Sequence, residues 1–275
     1  MTGIDYLLVG HIASDIVPEG RALGGTVAYA VFVARAFGLR PALLTSAAPD
    51  EPLLRQLPPD VPVHVVPATH TTTYENIYTA AERVQYLRAV AHPLTPGDVP
   101  VAWRAAPLLH IAPIADEIDA TRHADYAPQA AITLTPQGFM RQQEADQRVT
   151  PRRWFDADAL RGAQLTILSE DDIAAEPTIE ADYAREAPLL VVTDGAKGGR
   201  YYLAGERHDY TAHPVTADDP TGAGDVFAVS CTAAYHLTGD IHRAIDVAAR
   251  VAAWSTMRSG LPDCIPSPER IAALL

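Results

Sequence analysis

Six short, mostly apolar runs that do not alternate with polar residues constrain this chain more than any other feature: residues 6–9, 42–45, 108–111, 131–134, 165–168 and 189–192. A strand with one wet face alternates polar and apolar residues, so a continuous run predicts a strand covered on both sides. Helix-compatible stretches lie between them, at about 27–37, 153–161, 174–185 and 243–257. In the last, Ile245, Ala248, Ala252 and Ser255 recur on one face, which predicts packing against a sheet. Strands alternating with helices predict an α/β fold: a doubly wound, mostly parallel sheet with helices on both faces. No long linker divides the 275 residues, so one domain over 1–275 is expected.

Two regions follow another rhythm. Between 61 and 87 the chain alternates, with Val63, Val65, Thr71, Thr73, Ile77, Tyr78, Val84 and Tyr86 as the β-formers. That pattern predicts antiparallel strands with one wet face, and so a small, reduced β lid formed by about 61–90 with a short contribution from 15–23. An open edge on such strands predicts a homodimer formed through them. Residues 200–210 read as a hairpin.

Charge narrows the partners. A formal net charge of −13 argues against broad binding to nucleic acid or anionic lipid, both of which need a cationic surface. No apolar run approaches the roughly 18 residues needed to span a bilayer. The start, Met1-Thr2-Gly3-Ile4-Asp5, lacks a basic n-region and an apolar h-region, so a cytoplasmic location is expected. Two cysteines, Cys231 and Cys264, predict no disulfide framework. Lysine occurs once, at Lys197 in the loop Thr193-Asp194-Gly195-Ala196-Lys197-Gly198-Gly199 after a strand, and asparagine once, at Asn76. The histidines show no metal-binding spacing, and His110, inside an apolar run, reads as an interior hydrogen-bonded residue.

The chemistry concentrates in Asp219-Pro220-Thr221-Gly222-Ala223-Gly224-Asp225, which precedes the apolar run 226–229. Small residues opening a helix let the N–H groups of Gly222, Ala223 and Gly224 point at an anion. Asp225 then falls in the first turn, where a carboxylate can take a proton from an attacking hydroxyl. Beside a helix N-terminus it is expected to be a weak base, with proton transfer late in a loose phosphoryl transition state.

This string resembles the signature of the PfkB/ribokinase family of small-molecule kinases, and the likeness runs from Val9-Gly10 to Ile265-Pro266-Ser267-Pro268. The resemblance implies a ribokinase-like fold and an ATP-dependent kinase acting on a hydroxyl. It implies Asp225 as general base and Gly222, Ala223 and Gly224 as the anion hole. Asp15, Gly24, Gly25 and Thr26 would bind the acceptor, joined by Gln137 and Arg141 after a strand end. Ser169, Thr193, Gly195, Lys197, Gly198, Gly222, Gly224 and Ala253 would bind the nucleotide. Asp172 would hold Mg2+ through water, and Asp219 and Thr221 a monovalent cation such as K+.

The chain departs from the family pattern where it has Ala13, Tyr29 and Ser169 in place of asparagines, which weakens a ribose-like binding mode. The segments 82–87, 92–94, 98–100 and 135–141 resemble the subgroup of plant myo-inositol kinase-like proteins, which implies a polyol, cyclitol or sugar acceptor. Nucleosides remain open. A second reading keeps the fold as a ligand or nucleotide sensor without turnover. A dinucleotide-dependent oxidoreductase lacks its Gly-rich turn, since Gly10-His11-Ile12-Ala13-Ser14 stands there.

Overall fold

The computed structural model describes residues 3–78 and 83–275. The sequence reading of 79–82, within the lid and the segment beginning at Glu82, lies outside these residues. Along the chain come β1 (Tyr6–Val9), β2 (Ala13–Val17), β3 (Gly20–Gly24), α1 (Thr26–Ala36), β4 (Pro41–Ala47), β5 (Val63–Pro67), β6 (Thr73–Tyr78) and β7 (Arg83–Ala89). β8 (Leu108–Ile111), β9 (Ala131–Leu134), β10 (Arg141–Gln143) and β11 (Val149–Pro151) follow. The C-terminal part holds α2 (Ala157–Gly162), β12 (Leu165–Ser169), α3 (Glu170–Ile173), α4 (Ile179–Glu186), β13 (Leu189–Thr193), β14 (Gly199–Leu203) and β15 (Glu206–Tyr210). It closes with α5 (Ala223–Thr238), α6 (Ile241–Ser255) and α7 (Pro268–Ala272).

The apolar runs become the centre of a nine-stranded sheet, ordered β15-β14-β13-β12-β9-β8-β1-β4-β5. Pairing is parallel from β13 across to β5, and antiparallel at the β13-β14-β15 hairpin end. Successive residues of β1 feed opposite cores: Tyr6 and Leu8 join the core with α1, α5 and α6, whereas Leu7 and Val9 join the core with α2 and α4. Both faces are therefore dry, which is why these strands read as unbroken apolar runs. His110 lies wholly buried in β8, bonded to the Tyr6 hydroxyl and to Thr135 Oγ1.

Three element expectations are corrected. Val63–Pro67 pairs with β4 in the main sheet rather than with the cover. The helix expected over 153–161 starts only at Ala157, because the Asp156 side chain caps it by accepting from Ala159 N–H. The helix expected over 174–185 starts at Ile179, after Pro177, and is preceded by the short α3.

The cover is a second sheet, β3-β2-β6-β7, to which residues 13–24 contribute two strands rather than a short segment. The edge of β7 that suggested a dimer is partly occupied within the chain: Leu87 N–H donates to Gln147 O at 2.9 Å, and Tyr86 forms a bridge with Arg148.

Cover and core meet at His11, which is fully buried. Its Nε2 donates to the His92 carbonyl at 2.9 Å, since a carbonyl can only accept, and its Nδ1 shares a hydrogen bond of 2.7 Å with the Thr72 hydroxyl. The His11 main-chain N–H donates to buried Glu117 at 2.9 Å, whose carboxylate also accepts from Ile114 and Ala115 N–H. Cys231 and Cys264 are both buried free thiols. Among the described residues no helix is long and apolar enough to cross a membrane.

Candidate active site

The C-terminal ends of β1, β8, β9 and β12 and the first turns of α1 and α5 converge under the cover. Strand order reverses about β1 there, which is where open α/β sheets bind ligands.

α5 opens at Gly222, whose φ of 76° and ψ of 0° place it in the left-handed region. A Cβ at this position would lie 2.2 Å from the Tyr29 ring, so only glycine fits both the dihedral and the packing. Above Gly224 a Cβ would meet nothing within 4 Å, which leaves that side open. The expected set of donors is corrected at one member: Ala223 N–H donates to Pro220 O at 3.2 Å. Among the described residues Gly222, Gly224 and Asp225 keep their N–H groups free of main-chain partners, as the first turn of a helix does.

Asp225 is held across the helix pair, its Oδ1 accepting from the Thr26 hydroxyl in the first turn of α1 at 2.7 Å. Burial raises its carboxyl pKa to about 6, against the Thr26 hydrogen bond and the Arg141 charge, which lower it, while Asp172 adds to the rise. The expectation of a weakly basic carboxylate is thereby corrected: loss of water around the group outweighs its hydrogen bond. These interactions also bring Arg141 and Asp172 to the same centre.

Asp15 lies against the main chain of the next element. Its Oδ2 would be 2.0 Å from a Cβ on residue 24, so the glycine at 24 is what lets the carboxylate lie there. Gly25 is the N-cap of α1 and Thr26 its first residue. On the far side of the site Gln137 Nε2 approaches Asp172 Oδ1 at 3.4 Å.

Ser169 and Asp172 form a capping box at α3: Asp172 Oδ2 accepts from Ser169 N–H at 2.9 Å and from Ser169 Oγ at 2.7 Å. The helix-start reading of these residues is therefore realised. Among the described residues it leaves Asp172 Oδ1 with the long contact to Gln137. An all-oxygen set of this kind suits Mg2+, which keeps waters and shares phosphate oxygens rather than needing a protein cage. Among the described residues no three His, Cys, Asp or Glu side chains gather into such a cage.

Ser169 pairs with Thr193 across β12 and β13, which sets the two at adjacent strand ends. The following turn carries Gly195, Lys197 and Gly198, whose carbonyl accepts from Asp194 N–H at 2.7 Å. Lys197 is 80% exposed and pairs with Asp194 at 3.1 Å. Beside it opens a cavity of about 660 Å³ between the β14-β15 hairpin and α6, lined by Lys197, Arg200, Tyr201, Tyr210 and His242. His242 and Tyr201 stand in no recognisable motif, and their contact is made only by the fold, from distant elements. At the end of α6, Ala253 O accepts from Thr256, and Thr256 O ties down Asp218 and Asp219 N–H. Asp219 Oδ1 accepts from Thr221 N–H at 2.9 Å, so both residues stay in the turn that leads to Gly222.

Comparison with known proteins places these observations. Residues 155–268 match the model of the pfkB family carbohydrate kinases. A fructokinase of Escherichia coli is 26% identical over 196 residues, which cover 63% of this chain and 62% of that protein. The chain spans less than two thirds of the length of the curated relatives it matches. Among solved structures, a pyrophosphate-dependent kinase in the ribokinase family, complexed with a pyrophosphate analog and myo-inositol, superposes with a TM-score of 0.77. It is 22% identical, and the match covers 98% of each chain. A ribokinase II of Escherichia coli in complex with ATP and Mg2+ gives 0.73 at 18% identity, again over 98% of each chain.

Proposed function

We propose that this chain, which carries a pfkB family carbohydrate kinase domain on a ribokinase-like fold, transfers the γ-phosphoryl group of ATP to a hydroxyl of a polyol, cyclitol or sugar. One observation carries the reading: Asp225, half-buried and bonded to Thr26, adjoins the open N–H groups of Gly222 and Gly224 under a cover bearing Asp15. Asp15 and the main chain at Gly24 and Gly25 orient the acceptor. Asp225 draws the proton from its hydroxyl as that oxygen attacks phosphorus in line. The free N–H groups and Arg141 stabilise charge on the transferred group.

Ser169, Thr193, Gly195 and Lys197 face the donor, and the adjoining cavity is of the size that small-molecule sites have. Asp172 would hold Mg2+ through water, and the ion would neutralise charge on the phosphates. Asp219 and Thr221 are the place for a monovalent cation, tested by comparing activity with and without K+.

A second donor is favoured by a specific contact. Beside Ala253, which the resemblance implies for the nucleotide, the Trp254 ring face is taken by the Arg270 guanidinium, 3.6 Å from its centroid. A purine would have to displace that pair, whereas pyrophosphate would not. The deciding experiment presents ATP and pyrophosphate in turn with a panel of polyols, cyclitols, sugars and nucleosides, following phosphorylated product. Product with ATP supports the first reading, and product with pyrophosphate alone supports the second. No product from any pair would leave a binding protein.

Two substitutions probe the assignment. Lys197→Met is expected to raise the donor KM roughly ten- to hundredfold, as loss of a charge-assisted phosphate contact does. Its exposed pair with Asp194 contributes little to folding, so the thermal midpoint should stay put. Gly24→Ala is expected to push the Asp15 carboxylate aside and raise the acceptor KM about tenfold or more while sparing the donor KM. Equal changes in both constants would refute Asp15 as an acceptor ligand.

A further inference from the structure

The first turns of α1 and α5 face each other at the centre of the site and touch at two pairs of residues. Thr26 of α1 bonds to Asp225 of α5, and Tyr29 of α1 lies against Gly222, the N-cap of α5. Thr26 and Tyr29 are three residues apart, as are Gly222 and Asp225, so on each helix the two positions share a face. A Cβ on Gly222 would lie 2.2 Å from Tyr29 Cε1 and 2.3 Å from Cζ, the atom that carries the hydroxyl. The phenol oxygen is therefore set beside the turn whose N–H groups stay open.

Tyr29 is only 7% exposed, yet its hydroxyl has no hydrogen-bond partner among the described residues. It is not sealed in, whereas the equally unpartnered Tyr210 hydroxyl is. A polar group held this deep costs stability unless something bonds to it, which makes it one that a ligand completes. Burial raises the phenol pKa, and Asp225, Cys264, Asp15 and Asp219 act in the same direction. The hydroxyl keeps its proton and stays a donor. The turn beside it is short of one, since Ala223 N–H is bonded to Pro220 O at 3.2 Å.

Resting on the proposed kinase reading, we infer that the Tyr29 hydroxyl supplies that donor, bonding to a non-bridging oxygen of the phosphoryl group in transit. The acceptor oxygen bonds to phosphorus as the bond to the donor's leaving oxygen breaks, and Asp225 takes the acceptor's proton. Tyr29 keeps its own proton throughout. Its ring is already fixed on Gly222, so the hydroxyl meets the charge without rearranging. A tyrosine stands where the family pattern has an asparagine, which makes this donor a property of the chain itself.

The test is Tyr29→Phe, which removes one oxygen atom and leaves the ring against Gly222. With the donor and acceptor that give product, kcat should fall about 10- to 10²-fold, as loss of one hydrogen bond to a charged group does. Both KM values should stay within about twofold, the mark of a contact made during transfer rather than in the bound ground state. The thermal midpoint should hold or rise, because the free protein gives this hydroxyl no partner, whereas a structural hydroxyl would lower it. Tyr29→Leu, which takes the ring as well, should lose at least as much turnover and also thermal stability. Wild-type kcat in Tyr29→Phe, a change confined to acceptor KM, or a Tyr29→Phe chain that fails to fold would each overturn the inference and leave the kinase reading standing. A wild-type chain that phosphorylates no acceptor would overturn both.

Discussion

Asp225→Asn is expected to lower turnover by about 10²- to 10⁴-fold, the range that a positioned general base contributes, while the donor still binds. The same substitution should make the protein more stable at neutral pH. Burial raises the Asp225 pKa to about 6 from 3.8, so the folded chain holds that proton more tightly than the unfolded chain does. Stability is therefore lost as pH climbs through this window, and above it the ionised carboxylate costs up to about 3 kcal/mol. The α5 N-terminus works in the opposite sense and makes that figure a ceiling. Thermal midpoints of the two proteins should converge near pH 4 and separate by several degrees at pH 7. In parallel, kcat/KM of the wild type should increase with pH across about 6 as Asp225 becomes able to accept a proton. A pH-independent difference in midpoint, or near-normal turnover, would remove Asp225 from its role.

Gly222→Ala is the second large effect. A side chain in the left-handed region costs about 1–2 kcal/mol, and the new Cβ would sit 2.2 Å from the Tyr29 ring, adding about 1–3 kcal/mol of overpacking. The turn that presents the open N–H groups must shift, so turnover should drop about 10²- to 10³-fold. Pairing the change with Tyr29→Val relieves the collision but not the dihedral, and should return part of the thermal stability. Unchanged activity in a folded Gly222→Ala protein would show that the turn does not form the anion hole.

The parts of the fold legible from the sequence are those where one physical cause acts alone. Residues 6–9 and 189–192 are dry on both faces, and a strand covered on both sides leaves an unbroken apolar run of that length. At 219–225 the small residues before an apolar run mark the start of α5, whereas the chemistry expected there comes from the family resemblance rather than from spacing. Val63 to Val66 was misassigned because an edge strand of the main sheet and a cover strand alternate alike. Only the pairing with β4 separates them. Residues 153–156 read as helix by composition, but Trp154 packs on Phe139 and Tyr183 in an extended segment, a contact made across the chain.

His11 gives the cover a mechanical character. The chain passes between the two sheets at residues 10–12, at Thr72 on the way into β6, and at His92 on the way out of β7. One imidazole joins all three passages. The strands of the upper leaf are thus not free to bend one by one: displacing any of them breaks a bond that also anchors the others. The two sheets are therefore tied to each other where the chain crosses between them, by hydrogen bonds closed off from water, and parting them there would leave a buried imidazole without partners.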